Sequence, residues 1–183
     1  FWNIKEKPSG SKDPYALRRC AIGLIRILIE NKLDINISEL IFNDLNNNDA
    51  NDLFKFLEDR FRVYLLEKDF DHDVLDACLQ FSDFHNPYLF YLKINSLKKF
   101  KKSNDFKKLI NSYKRPVNIL ISEEKKNKDL ISDEPLIELF EKKDEQALYK
   151  KLIKVEKEVK NLILNQDFKQ ALISLSSFDN EIE

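Results

Sequence analysis

The sequence predicts an all-α protein, built as a helical bundle. It contains only two glycines in 183 residues, too few for the many tight turns of a β-rich fold. Apolar residues recur along most of the chain at the three- and four-residue spacing of amphipathic helices. Hydrophobic residues make up 43% and charged residues 34%, enough for a core and a solvated surface. Because the chain starts at Phe1 and lacks Met, we expect a piece of a longer protein.

Four helices are predicted in the first 81 residues. The first covers 13–31, with Asp13 as its N-cap and Pro14 in its first turn, where a missing N–H costs no hydrogen bond. The second covers 38–45 with Ser38 as its cap, and the asparagines at 46–48 predict a loop. The third covers 51–67 and the fourth 71–81. The inward positions are predicted to be Leu17, Ala21, Leu24 and Leu28; Leu53, Phe54, Leu57, Phe61, Tyr64 and Leu65; and Val74, Leu75, Cys78 and Leu79.

The second half of the chain predicts four more helices. SDFHNP at 82–87 breaks the pattern, Pro87 can open a helix that is amphipathic over 89–100, and a further helix at 105–120 should be kinked at Pro116. EEKKNKDLISDEP at 123–135 predicts a polar linker. A helix at 145–165 has apolar residues spaced four, three, four and three apart, typical of a coiled-coil-like seam in an antiparallel bundle. The inward residues of the last two helices are predicted to be Leu148, Leu152, Val155, Val159 and Leu162, then Phe168, Leu172 and Leu175.

Several classes of function are excluded or disfavoured by what the sequence lacks. There is no GxxxxGK[ST], GxGxxG or GxSxG motif, so phosphate-cradling loops and a serine-hydrolase elbow are absent. The most apolar stretch, residues 20–29, includes Arg26 and is shorter than the roughly 18 residues of a membrane span, so we expect no membrane partner. Cys20 and Cys78 lie in apolar helical patterns, which favours reduced, poorly reactive thiols and a cytoplasmic location.

One cluster, FDHDVLD at 70–76, has the composition of a metal site. His72 and Asp76 are four residues apart and could share one helical face. Asp71 or Asp73 could equally cap a helix and complement its dipole. Because no second cluster completes the ligand set, the capping interpretation is preferred and no metal is expected.

Charge is unevenly distributed although the net charge is only −1. Residues 93–115 contain nine basic and one acidic residue, whereas the segments on both sides are acidic. Such a one-sided segment is typical of phosphate binding, although a solvated helix face or a surface for an acidic protein partner would also be basic. Tyr113 could stack on a base. The cationic candidates for nucleic-acid contact are Lys98, Lys99, Lys101, Lys102, Lys107, Lys108, Lys114 and Arg115.

Three blocks of the sequence carry a family resemblance. KPSGSKDPYALRRCAIGLIRILIENKLDI at 7–35 resembles the [ST]GxKDPxALRRAALGxxRI run of bacterial glycyl-tRNA synthetase beta subunits. The likeness continues through FLEDRFRVYLLEKDFDHDVLDACL at 56–79 and returns at YKRPVNIL, 113–120, which is similar to the KRVxNIL helix of that family. The order and spacing of the blocks match over most of the chain.

The resemblance implies a role in attaching glycine to tRNA-Gly. It implies an α2β2 tetramer, in which the alpha subunit holds the catalytic core with ATP, Mg and glycine while the beta subunit binds tRNA. This chain would need no cofactor of its own and would be non-catalytic. By the same mapping, residues 1–33 close a domain similar to HD phosphohydrolases, 34–85 form a helical connector, and 86–183 begin an anticodon-binding-type domain that lacks its closing DxFFDxVMV segment. Pro116 stands where the family usually has valine, and Cys20 where it has alanine.

Two adjacent arginines complete the list of candidates. Arg18 and Arg19 point about 100° apart on a helix, so both cannot face the core. One of them could pair with a carboxylate such as Asp13 and fix the angle between domains, or they could contact the tRNA acceptor arm, since guanidinium groups bind both carboxylates and phosphates. Together with Asn118 of the third block, they complete the predicted tRNA-binding set.

Overall fold

The all-α prediction is confirmed by a computed structural model of the chain, which describes residues 1–80, 84–126 and 135–178. These residues form eight α-helices and two short 3₁₀ helices, and they contain no β-strand. The α-helices are α1 (Leu17–Glu30), α2 (Ile37–Asp44), α3 (Asn47–Leu66), α4 (His72–Leu79), α5 (Pro87–Phe100), α6 (Asn104–Lys126), α7 (Lys143–Leu164) and α8 (Phe168–Leu175). The 3₁₀ helices cover Ile137–Leu139 and Ser176–Phe178.

The chain divides into two compact units, Phe1–Lys98 and Lys99–Glu183. The first contains α1 to α4 and most of α5, and the second contains α6 to α8. The assignment of residues 1–33, 34–85 and 86–183 to an HD-like domain, a connector and an anticodon-binding-type domain stays a prediction. No α-helix in the described ranges is both long enough and apolar enough to cross a membrane.

The core of the first unit is built around α3. Phe61 is fully buried, and its ring centroid lies 4.9 Å from that of Phe84 and 5.6 Å from that of Phe90. Leu57, Phe61, Tyr64 and Leu65 are buried as predicted, whereas Leu53 and Phe54 are only partly buried. The other buried positions of this core are Ala21, Ile25, Leu28, Ile29, Ile37, Phe70, Val74, Leu75 and Ile94.

The buried stripe of α1 differs from the predicted one. Ile25 and Ile29 are buried, whereas Leu24 is 42% exposed and Cys20 is also exposed. The buried positions 21, 25, 28 and 29 follow the three- and four-residue spacing of a single helical face, and Leu24 lies on the flank of that face. The prediction for Leu24 was therefore wrong, because the apolar run is broader than the core-facing stripe.

The N-terminal segment is fixed to α3 through two carboxylates. The buried Asp49 accepts hydrogen bonds from Lys5 Nζ at 2.6 Å and Lys7 Nζ at 2.9 Å. Asp52 accepts from Lys7 Nζ at 2.8 Å and from the indole Nε1 of Trp2 at 2.9 Å. Asp49 is buried, where a carboxylate is costly without partners, whereas Asp52 is exposed. Together the four hydrogen bonds hold the first seven residues against α3.

Most differences in helix boundaries come from caps. α1 begins at Leu17 rather than at residue 13. In α2 the N-cap is Asn36, whose side chain accepts from the Ser38 N–H, so Ser38 is not the cap. The predicted loop at 46–48 was wrong, because Asn46 caps α3 by accepting from the Asp49 N–H and the helix begins at Asn47.

In the second unit, α7 packs against α8, and α6 packs against the 3₁₀ helix that follows α8. Val155, Phe168 and Ala171 are buried, and Phe100 packs edge-on against Phe106 with centroids 6.1 Å apart. The predicted seam of α7 is only partly buried: Leu152 is 48% exposed, and Leu148, Val159 and Leu162 are half-buried.

α6 continues through Pro116 and ends at Lys126, six residues beyond the predicted end. A proline inside a helix removes one backbone hydrogen bond, here the bond to the carbonyl of Ser112, and the remaining turns can still form. The first four residues of the predicted linker at 123–135 therefore belong to α6, while 127–134 lie outside the described residues.

Candidate nucleic-acid interface

The SGSKDPYALRR segment at 9–19 forms a tight turn leading into α1. Ser9 and Lys12 exchange both backbone hydrogen bonds, at 3.0 and 2.8 Å, and Gly10 adopts a φ of 51°, which glycine tolerates without a steric penalty. The carboxylate of Asp13 accepts hydrogen bonds from the N–H groups of Leu17 and Arg18 at 2.8 and 3.1 Å. The Asp13 side chain thus accepts hydrogen bonds from the first turn of α1, as predicted for a capping residue. It does so from three residues before the N-cap position, which is occupied by Ala16.

The two arginines of this segment have different environments. Arg18 is half-buried and donates from Nη2 to the backbone carbonyl of Gly10 at 2.7 Å. Among the described residues no ion pair joins Asp13 to Arg18 or Arg19, so the proposed carboxylate pairing is replaced by a bond to a carbonyl. Arg19 is exposed on α1. The motif therefore uses Arg18 to close its own turn and presents Arg19 to solvent.

The basic candidates of residues 93–115 are divided between the two units. Lys98 belongs to the first, where its Nζ donates to the carbonyl of Asp69 and lies 4.2 Å from the ring centroid of Phe70. That hydrogen bond and cation–π contact commit its charge to packing within the unit. Lys99, Lys101 and Lys102 come next, at the end of α5 and in the turn after it, with Lys99 and Lys102 exposed.

The remaining candidates lie on α6. Between Asp105 and Glu123 this helix carries four cationic residues and no carboxylate. Positions 107, 111, 114, 118 and 122 advance by three or four residues and therefore share one face. We call this exposed surface the polar face of α6, formed by Lys107, Lys108, Asn111, Lys114, Arg115, Asn118 and Ser122.

Part of the polar face is a shallow groove of about 490 Å³, lined by Asn111, Lys114, Arg115, Asn118, Ile119 and Ser122. Lys108 pairs with Asp105 at 3.3 Å, within α6. Lys107 and Lys114 form no ion pair with any described residue. Such a surface offers ammonium and guanidinium donors together with side-chain amides, which is a suitable combination for phosphates and base edges.

Tyr113 lies on a different side of α6. It is 63% exposed and lines an apolar groove of about 300 Å³ together with Leu109, Ser112, Leu148, Leu152, Leu175 and Phe178. The structure therefore brings Lys114, Arg115 and Asn118 together but separates them from Tyr113. A stacking role for Tyr113 stays a prediction and would use this second groove.

Comparison with known proteins identifies the family. The family model described as "Glycyl-tRNA synthetase beta subunit" matches residues 1–80. Three curated glycine--tRNA ligase beta subunits align over nearly the whole chain. The protein from Ruegeria sp. (strain TM1040) is 36% identical over 172 residues, that from Rickettsia peacockii (strain Rustic) is 34% identical over 178, and that from Paracoccus denitrificans (strain Pd 1222) is 32% identical over 183.

The chain belongs to the glycyl-tRNA synthetase beta subunit family. The alignments cover 94%, 94% and 100% of this chain but only 25%, 25% and 27% of the Ruegeria, Rickettsia and Paracoccus proteins. It thus spans about a quarter of the length of these curated relatives. The turn and α1 lie within the family-model match, whereas the polar face of α6 lies beyond residue 80 and is covered by the relatives' alignments.

Two chemical predictions for this glycyl-tRNA synthetase segment can be compared with the structure. Asp76 pairs with Arg62 at 2.6 Å, and within the described residues no three His, Cys, Asp or Glu side chains are grouped to hold a metal ion. Asp71 occupies the N-cap position of α4 but its side chain makes no capping hydrogen bond, and Asp73 lies in the first turn, where a carboxylate complements the helix dipole.

The two cysteines of the segment are both free but differ in environment. Cys78 is half-buried, and burial raises the pKa of its thiol although the nearby Lys93 acts in the opposite direction. Cys20 is exposed, so the prediction that both thiols lie among apolar neighbours was wrong for Cys20.

Three groove residues were not among the candidates predicted from the sequence: Asn111, Ile119 and Ser122. Of these, Asn111 and Ser122 have side chains that can form hydrogen bonds. Both are polar but uncharged, so a search for clustered cations passes over them. Helical spacing from Lys114 and Asn118 would have found them, because Asn111 and Ser122 lie one turn before and one turn after these residues on the same face.

Proposed function

We propose that this chain is the part of a glycyl-tRNA synthetase beta subunit that binds tRNA-Gly, and that it does so through the polar face of α6. It supports ATP-dependent attachment of glycine to tRNA-Gly in the cytoplasm, in an α2β2 enzyme whose alpha subunit holds ATP, Mg and glycine. The observation that carries the proposal is the exposed, one-sided row of cations and amides between Asp105 and Glu123. Family membership supports the choice of tRNA as the ligand.

The physical role of this surface is to position tRNA. Lys107 and Lys114 are exposed and free of ion pairs with described residues, so neutralising a phosphate costs them no existing partner. Each phosphate that they neutralise releases condensed counterions, which makes binding favourable and dependent on salt. Lys99, Lys102 and Lys108 extend the positive surface of the second unit. The chemistry of glycine activation is left to the alpha subunit.

A kinetic comparison in the assembled synthetase tests the proposal. The double variant Lys107→Ala/Lys114→Ala is compared with Lys154→Ala/Lys157→Ala, which removes two exposed lysines of α7 in the same unit. We expect kcat/KM for tRNA-Gly to fall in the α6 variant by a factor that corresponds to about 1–3 kcal/mol of transition-state stabilisation, as for the loss of charge-assisted contacts. Glycine-dependent ATP–pyrophosphate exchange should stay unchanged in both variants.

The rival proposal is a helical protein–protein interaction module whose basic stripe meets an acidic partner. It predicts that the α6 variant loses a protein partner and keeps its kcat/KM for tRNA-Gly. Equal kcat/KM values for the α6 variant, the α7 control and the parent would therefore contradict tRNA binding by α6.

A further inference from the structure

We propose that Asn111 and Asn118 are specificity-determining residues, which distinguish tRNA-Gly from other RNAs by contacting the edges of unpaired bases. This inference rests on the proposed function, and it assigns different roles to the residues of the polar face. The lysines position the RNA, whereas the two asparagines read it.

The position of both asparagines places them in the groove of α6. Both are exposed, they line it on either side of Lys114, and neither side chain is hydrogen-bonded within the described part of the chain. Seven residues separate them, which is about two helical turns or roughly 10 Å along the axis. At that spacing one base cannot contact both, so each carboxamide faces a different nucleotide.

Pro116 gives a physical reason for a groove at this point. Among the residues that the structure describes, those that line it come from α6, although a straight helix presents a convex surface. Pro116 lies midway between Asn111 and Ser122, is half-buried, and does not line the groove. A proline ring clashes with the carbonyl of residue i−4, here Ser112, and a helix relieves this clash by bending away from the ring. Such a bend would place the opposite face, which carries the asparagines, on its inner side.

The local sequence is a poor one for a helix that serves only as scaffold. Asn is among the weaker helix formers, and an interior proline costs about 3 kcal/mol relative to alanine. Asn111, Pro116 and Asn118 fall within eight residues of the same helix. Positions that break local folding rules are expected at functional sites, and within the described residues no side-chain hydrogen bond of Asn111 or Asn118 offsets their weak helix propensity.

The chemistry of the side chains separates the two roles. A lysine ammonium only donates hydrogen bonds, so it binds any phosphate equally well. A carboxamide has a donor and an acceptor side by side and can form a paired contact with a base edge. The major groove of an RNA helix is too deep and narrow for side chains to read, and sequence-specific contacts are made mostly with unpaired nucleotides. The bases contacted by Asn111 and Asn118 are therefore expected in a loop or a single-stranded end.

The test measures tRNA affinity in the assembled synthetase for three proteins: the parent, Asn111→Ala/Asn118→Ala, and Lys107→Ala/Lys114→Ala. The probes are a tRNA-Gly transcript, a transcript of a different tRNA, and tRNA-Gly transcripts with substitutions either in the loops or in base-paired stems. We expect the asparagine variant to bind tRNA-Gly roughly tenfold to a hundredfold more weakly, with little change for the other tRNA. Loop substitutions in tRNA-Gly should reduce the affinity of this variant less than that of the parent, whereas stem substitutions should reduce both affinities equally. Circular dichroism of each variant confirms that the helix content is retained.

The lysine variant separates failure of this inference from failure of the proposed function. We expect the lysine variant to bind both tRNAs more weakly by a similar factor, so that the ratio of the two affinities stays unchanged. The inference is wrong if the asparagine variant keeps the parental ratio of affinities, whether it binds both tRNAs as the parent does or binds both equally more weakly. The proposed function still stands in that case if the lysine variant loses affinity. If neither variant loses affinity for tRNA-Gly, both are wrong.

Discussion

Arg18 Nη2 donates a hydrogen bond to the carbonyl oxygen of Gly10 across a distance of 2.7 Å. This bond joins the first turn of α1 to the turn at Ser9–Lys12, and Asp13 secures the same junction by accepting two N–H groups of the helix. The hydrogen bond to Gly10 thus explains why an arginine precedes the apolar run of α1: Arg18 connects the helix to the preceding turn. The arginine beside it is available for another role.

The two arginines should respond differently to substitution. We expect Arg18→Ala to lower the free energy of unfolding by about 0.5–1.5 kcal/mol, because the bond to Gly10 is lost. Arg19→Ala should change it by no more than about 0.5 kcal/mol, since Arg19 is exposed. Thermal unfolding of the full-length beta subunit is the measurement. A greater loss for Arg19→Ala than for Arg18→Ala would contradict the assignment of Arg18 as the structural residue.

The exposed Cys20 should react faster than Cys78 with a thiol reagent under native conditions. Cys20 is exposed on α1, whereas Cys78 is half-buried and burial raises the pKa of its thiol, which reduces the thiolate that reacts. Labelling followed by peptide mass spectrometry measures both rates, with Cys20→Ala as the control that assigns the fast phase. Faster labelling of Cys78 than of Cys20 would show that its surroundings are more open than the structure describes.

Acid should release the N-terminal segment from α3. Hydrogen bonds from Lys5, Lys7 and Asn46 hold the pKa of Asp49 well below its usual range, and those from Lys7 and Trp2 lower the pKa of Asp52. With the folded-state pKa depressed, the unfolded state binds more protons in acid. The stabilisation is therefore complete above the unfolded pKa of about 4 and is lost as the pH falls below it. Thermal unfolding between pH 7 and pH 2 measures this loss.

The Asp49→Asn variant is the control for the acid transition. The variant loses the charge that pairs with Lys5 and Lys7, so its free energy of unfolding should be lower than that of the parent at pH 7. Because the asparagine side chain does not titrate, this free energy should decline less steeply below pH 4. Parallel curves for parent and variant would mean that Asp49 is not the group responsible.

Substituting the proline of α6 should stabilise that helix. In Pro116→Ala the new N–H can donate to the carbonyl of Ser112, and helix propensity favours alanine by up to about 3 kcal/mol. We expect slower amide hydrogen exchange over residues 112–120, measured in the full-length beta subunit by mass spectrometry. Unchanged or faster exchange in this segment would show that the proline does not strain the helix.

The sequence predicted the helices from their periodicity but was less successful at their ends. The inward positions of α3, among them Phe61 and Leu65, follow from spacing, since burial of one helical face requires it. The start of α3 at Asn47 could not be read from the asparagine run, because which of three asparagines becomes the N-cap depends on the contacts of Asp49. Leu24 was misplaced for a related reason: an apolar run shows that one face is buried, and only tertiary packing selects which.

The candidate site was predictable where it depends on charge. Lys107, Lys114 and Arg115 stood out because the segment contains one acidic residue, and their shared exposure follows from the polar face of α6. The packing of Lys98 against Phe70 could not be foreseen, since it is made with a residue far away in the sequence. The separation of Tyr113 from the cations could be derived only after the register and length of α6 were known.

The salt dependence of tRNA-Gly binding tests the central claim most directly. Affinity is measured for the assembled synthetase between 50 and 300 mM KCl, roughly the range over which counterion release is resolved, in the parent, Lys107→Ala/Lys114→Ala and the α7 control Lys154→Ala/Lys157→Ala. If the polar face of α6 binds phosphates, the slope of log K against log salt should become shallower by about two units in the α6 variant and stay parental in the control. Identical slopes and affinities for all three proteins would contradict the account, because the lysines of α6 would then be only a solvated face.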